Sequence, residues 1–262
     1  MKKVTVFFDL EGWWESPVRP RFDVVKTVSS IVKVLDKYNV KAVFNTCGKI
    51  VEDYPDLVLK LSKEGHEIAS HGYLHEVFNQ LSHDDLDNVL EKTENIIKKI
   101  IGEKPIGIRS PGLIFNDTVY DVFRSRGYKW VSNRNMQFCE LFNRPDKSSV
   151  LHSIATIGSK FQNLFYPKKP YKVNGLLEIP LQSSLETDLL GIVSLEQKSS
   201  EEWLTSAFNG LKKQYLRSHD YFNLNFHPWL IGTQNRLRLL NDILGYIHLK
   251  EAKFVLAGEL LE

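Results

Sequence analysis

The sequence predicts an α/β protein, a single domain folded as a distorted (β/α) barrel of about seven parallel strands. Three observations predict it. Short apolar runs alternate with amphipathic helical stretches from one end of the chain to the other, the pattern of β-α units. No Pro/Gly/Ser-rich linker and no repeat of fixed period divides the 262 residues. Seven or eight such units in this length favour a closed or nearly closed barrel over an open doubly wound sheet. A chain that is 42% hydrophobic and 25% charged has the apolar material for one full core.

Residues 4–8 are a short run of β-branched and aromatic residues, a buried strand. Residues 23–38 place Val24, Val28, Ile31, Val32 and Leu35 at helical spacing behind a capping Asp23. A strand over 41–46 is followed by a helix over 55–64, with proline in its first turn and Gly65 past its end. The third strand spans 67–70. A long helix over 82–101 opens on Ser82 and closes on Gly102. Strands over 106–109 and 129–132 flank a helix that Asn116 opens and Gly127 ends. A sixth strand covers 176–181, a helix from Ser199 runs to about Arg217, and a seventh strand covers 222–226. A helix over 233–250 and a short strand over 253–256 complete the chain. Residues 134–175 break this rhythm, and a loop of that length predicts a lid or binding excursion.

Composition excludes several classes. A net charge of +2 and the lack of any recognition motif argue against nucleic-acid binding. Cys47 and Cys139 lie far apart, so no disulfide framework exists and a reducing compartment is expected. The apolar run after Met-Lys-Lys is too short for a signal peptide, and no stretch reaches the length of a membrane span. The expectation is a soluble, cytoplasmic protein with no integral membrane segment.

In a parallel barrel the carboxyl ends of the strands form the face that carries chemistry. Those ends hold Asp9 and Glu11, Thr46 and Cys47, His71 and His75, Arg109 and Pro111, Asn133, Gln182, and His227 with Pro228 and Trp229. Acids, imidazoles and a guanidinium from distant positions therefore converge on one rim. His71 and His75, four apart, reach one ion from a helical turn or a tight loop. Gly72 stands where a zinc-peptidase helix carries glutamate, so that motif does not apply and a third ligand comes from elsewhere. Trp13, Trp14 and Trp229 suit either the core or stacking against a sugar. His66, His83, His152, His219 and His248 read as surface or capping residues.

With these residues in view, the sequence resembles the polysaccharide deacetylase family, carbohydrate esterase family four, over nearly its whole length. The run Phe8-Asp9-Leu10-Glu11 is similar to the first family motif. His71, Gly72 and His75 match the metal-binding second, Arg109 to Gly112 the third, and Phe226 to Trp229 the last. The resemblance implies a metal-dependent hydrolase acting on carbon–nitrogen bonds of a carbohydrate substrate. In it Asp9 is catalytic base, Arg109 holds that base and His227 is general acid. Glu11, His71 and His75 hold a divalent metal, expected to be Zn2+, while Pro111, Trp229 and Trp13 line the substrate groove. Three departures stand out. One residue separates the two acids of the first motif, an acid–tryptophan pair near Trp130 and Asn133 is not matched, and Asn225 replaces an aliphatic residue. An N-acetylated sugar in a polysaccharide or glycan precursor is the first substrate reading. A cyclic imide, ureide or formamido sugar is the second, and a glycan-binding barrel without turnover the third.

Overall fold

The computed structural model describes residues 1–12, 21–134, 167–183 and 195–262. Strand β1 (Lys3–Leu10) is buried along all but its first residue. Its alternating side chains serve two interiors, as a period of two requires. Val4, Val6, Phe8 and Leu10 pack with the helices, while Phe7 packs inside the barrel with Val43, Ala69, Trp130, Ile179 and Tyr221. Helix α1 (Val24–Lys37) starts where Asp23 Oδ1 accepts from the Lys26 N–H at 2.9 Å. It lays Val28, Ile31 and Leu35 on the outer face of the sheet.

Strand β2 (Val43–Thr46) leads into α2 (Gly48–Asp53) and α3 (Pro55–Lys63), then β3 (Glu67–Ser70). Helix α4 (His83–Ile101) is capped by Ser82 Oγ and ends on Gly102 at φ 93°, the left-handed geometry that glycine adopts at least cost. There follow β4 (Gly107–Ile108), α5 (Asp117–Ser125) behind an Asn116 cap, and β5 (Trp130–Val131). The remainder comprises β6 (Tyr171–Val173), β7 (Leu176–Glu178), α6 (Glu201–Arg217), β8 (Tyr221–Phe226), α7 (Pro228–Ile231), α8 (Leu237–His248) and β9 (Lys253–Phe254).

The nine described strands form one sheet in the order β6-β7-β5-β4-β3-β2-β1-β8, with β9 also on β1. Among the described residues no ladder joins β7 to β8, so the barrel is curled and nearly closed. A side chain bridges the seam instead. Asn223 donates from Nδ2 to the Pro180 carbonyl at 2.8 Å and accepts the Gln182 N–H at 2.8 Å. No described helix is long and apolar enough to cross a membrane.

The structure corrects the sequence reading in four places. The sheet is not wholly parallel, because β6 pairs antiparallel with β7 around Asn174 and Gly175, both at positive φ. That hairpin belongs to the stretch read as a lid, of which residues 135–166 lie outside the described residues. Helix α2 was not expected, since it is six residues long and begins with glycine. The last long helix starts at Leu237, after a 3-10 turn, rather than at Thr233. His66 is a buried core residue instead of a surface one: its Nδ1 accepts the Ala42 N–H at 3.1 Å and its ring meets Phe44 edge-on.

Candidate metal and catalytic site

The carboxyl ends of β1, β3, β4 and β8 build the site. β1 runs on past Leu10 to Glu11, whose side chain is almost wholly buried. The loop after β3 brings His71 and His75 to the same carboxylate, Nε2 to Oε2 at 3.6 Å and 2.8 Å. The two imidazoles sit on a tight loop rather than a helical turn. Gly72 turns there at φ 73°, and a Cβ on it would come within 2.7 Å of Glu76 Oε2. Glu76 clasps the loop by accepting the Tyr73 and Leu74 N–H groups, both at 2.9 Å. His75 is held at φ 66°, a strained conformation for a non-glycine residue.

The Arg109 carbonyl fixes the His71 tautomer. A carbonyl only accepts, so His71 Nδ1 donates to it at 2.8 Å and Nε2 is the nitrogen turned toward Glu11. One carboxylate oxygen and two imidazole nitrogens within 4.8 Å of one another are a donor set that fits a divalent ion. Burial works against the Glu11 charge, but hydrogen bonds from His71 and His75 outweigh it and hold the carboxyl well below its usual range. Trp229, half-buried, donates from Nε1 to Glu11 Oε1 at 3.0 Å, so its indole orients a candidate ligand.

Asp9 lies beside this cluster. Arg109, fully buried, donates from Nη1 to Asp9 Oδ1 at 2.8 Å. Three further N–H groups go to Ser132 and Asn225: Nε to the Ser132 carbonyl, Nη2 to Ser132 Oγ and to Asn225 Oδ1. The guanidinium also lies over the Phe7 ring, 4.5 Å from its centre. Burial would raise the Asp9 carboxyl, yet Arg109, His71, His227 and the Asn45 hydrogen bond together keep it below the ordinary range. His227, at the end of β8, brings Nε2 to 3.9 Å from Asp9 Oδ2 and 4.0 Å from Glu11 Oε1.

The structure thus brings together Asp9, Glu11, His71, His75, Arg109, His227 and Trp229. Pro111, two residues after Arg109, is the buried residue of a 3-10 turn, and Asn133 Oδ1 accepts the Ser110 N–H before it at 2.8 Å. Trp13 and Trp14 lie outside the described residues, as do Cys139 and His152. Trp130 belongs to the barrel interior and not to the rim; Gly107 makes room for its ring, and its Nε1 donates to Glu67. Asn45, Ser132 and Glu76 escaped the sequence reading, and Asn225 entered it only as a departure from the family pattern, without a role. A signal existed for two of them: Asn45 and Asn225 are amides inside short strands that also hold bulky apolar residues and are buried throughout.

A curled α/β barrel carrying a carboxylate–imidazole cluster beside an arginine-held aspartate defines the class. The chain belongs to the polysaccharide deacetylase family, whose model, described as polysaccharide deacetylase, matches residues 2–131. A peptidoglycan-N-acetylglucosamine deacetylase of Bacillus cereus is 32% identical over 111 residues, 41% of this chain and 38% of that protein. The match therefore spans well under half of that relative. A Mycobacterium smegmatis protein described as a polysaccharide deacetylase shares the fold over 99% of this chain and 88% of its own, with TM-score 0.73 and 18% identity. A Bacillus anthracis protein described as a family-four pseudoenzyme is also similar, covering 100% of this chain and 66% of its own, with TM-score 0.62 and 15% identity.

Proposed function

We propose that the protein is a metal-dependent hydrolase that removes N-acetyl groups from an N-acetylated sugar in a polysaccharide or glycan precursor. The observation that carries this reading is the pairing of two sites: the Glu11, His71 and His75 cluster adjoins an aspartate with one oxygen pinned by Arg109 and the other turned toward His227. Glu11, His71 and His75 would hold the ion, zinc by the chemistry of the donors, which when bound polarises the acetyl carbonyl and acidifies water.

The protein's own groups do the rest. Asp9 accepts a proton at Oδ2 from the attacking water, whose oxygen bonds to the acetyl carbon. Arg109 keeps Asp9 ionised and oriented. His227, protonated at Nε2, gives its proton to the nitrogen as the carbon–nitrogen bond breaks, so acetate and a free amine leave. Pro111, Trp229 and Trp13 would line the groove for the sugar, Trp229 while also holding Glu11. The proposal places this reaction in the cytoplasm, on a precursor, which cell fractionation tests.

Acetate release from a panel of N-acetylated sugars and oligosaccharides tests the activity. Acetate and free amine in equal amounts are the expected result. Turnover of cyclic imides, ureides or formamido sugars alone would move the substrate. Glycan binding with no turnover would make the protein a binding barrel.

A further inference from the structure

We infer that Asn45 and Asn225 are positioning residues that fix which oxygen of Asp9 serves as the base; this rests on the reading of Asp9 given above. The two asparagines flank β1 on opposite sides. Asn45 on β2 pairs in register with Asp9, and Asn225 on β8 pairs with Phe7, one inward position below it. Both are fully buried, in strands whose other inward residues include Val43 on β2 and Tyr221 on β8.

The hydrogen bonds have one direction. Asn45 Nδ2 donates to Asp9 Oδ1 at 2.7 Å, the same oxygen that Arg109 Nη1 reaches at 2.8 Å. Two donors on Oδ1 set the carboxylate plane and leave Oδ2 facing His227. Asn225 Oδ1 accepts from Arg109 Nη2 at 2.9 Å, while its Nδ2 donates to Ser183 Oγ at 3.1 Å and Asn223 Oδ1 at 3.0 Å. Asn223 is the residue that bridges the barrel seam. A continuous line of amides and a guanidinium therefore runs from the seam to the base.

Packing alone does not account for these amides. An aliphatic side chain fills a buried strand position without the cost of desolvating a polar group. The carbonyl end of Asn45 carries no hydrogen bond among the described residues, so only its donor end, the one on Asp9, is used. An amide kept at that cost is explained by its contact with the carboxylate.

The test compares wild type with Asn45→Leu and Asn225→Leu, and with Asn45→Ala in case leucine prevents folding. Each is loaded with zinc and assayed on an N-acetylated oligosaccharide and on an aryl acetate ester, which needs no protonated amine to leave. The expected result is a fall in kcat of about 10- to 100-fold with KM and zinc content unchanged. Unchanged kcat in folded, zinc-loaded variants overturns the inference, and so does an effect confined to KM or zinc content. If wild type cleaves the ester but no acetylated sugar, the substrate reading fails while the asparagine comparison is still read on the ester. If wild type cleaves neither, the base assignment falls and this inference falls with it.

Discussion

Two buried groups of carboxylates in this barrel are handled in opposite ways. Asp9 and Glu11 sit among a guanidinium and three imidazoles, and both are held below their ordinary range despite burial. Glu178, on β7, is equally buried, and among the described residues its hydrogen bonds come from neutral donors, the Arg134 charge being the least of the influences on it. Tyr120 donates its hydroxyl to Oε2 at 2.5 Å, and the Asn133 and Arg134 N–H groups reach Oε1 at 2.9 and 3.0 Å. There burial wins and the carboxyl is pushed up. The difference teaches that burial of an acid does not mark a functional site. Partners that favour its charged form, as around Asp9 and Glu11, make it a candidate for one. Glu178 braces the rim, through Asn133 and the Ser110 N–H, while Asp9 and Glu11 are the rim's acids whose charged form is favoured.

The comparison breaks most visibly at Asp9. Asp9→Asn keeps the hydrogen-bonding shape but removes the base, and acetate release is expected to fall by about 10²- to 10⁴-fold, measured at saturating substrate. A buried base makes the next test. Burial first, and Lys41 second, lower His66 from 6.5 to about 4. Below pH 6.5 the unfolded chain takes up a proton that the folded one refuses, so stability falls as pH drops from 6.5 to 4, by about 3 kcal/mol from this group. His66→Asn, whose Oδ1 can accept the Ala42 N–H, is expected to remove that slope in urea unfolding at pH 7, 5.5 and 4. The smallest effect is expected at Glu178. Glu178→Gln can satisfy the same partners, its amide donating to the Tyr120 hydroxyl. A raised carboxyl costs stability as pH rises above 4.5, so at pH 7 the glutamine variant should equal or exceed wild type, within about 1 kcal/mol. At pH 4 the two should coincide; a large loss at pH 7 would mean that the charge itself is required.

The sequence made the frame legible because its signals were local. Asp23, Ser82, Asn116 and Ser200 each cap the helix they precede, with side-chain bonds to the third residue on. The rim residues were legible because a parallel barrel sends every strand's carboxyl end to one face, so Asp9, His71, Arg109 and His227 could be joined without knowing distances. What escaped depends on partners distant in sequence. His66 looks like a surface residue after a helix until Ala42 and Phe44 close over it. Asn45 and Asn225 gain meaning only when β1 lies between them. Trp229 was read as a groove or core aromatic, and its bond to Glu11 spans 218 positions. The Asn174-Gly175 turn is an exception, a two-residue hairpin signal that was local and still missed within the long loop.

The central claim is that the carboxyl rim divides into a metal-holding half and a base half. Metal content of the purified protein, read alongside acetate release for wild type, His71→Ala and Asp9→Asn, tests it most directly. The account expects one zinc per wild-type chain, zinc lost in His71→Ala, zinc kept in Asp9→Asn, and acetate release abolished in the first variant and reduced to the floor given above in the second. Zinc retained in full by His71→Ala, or lost from Asp9→Asn in a folded protein, would contradict that division.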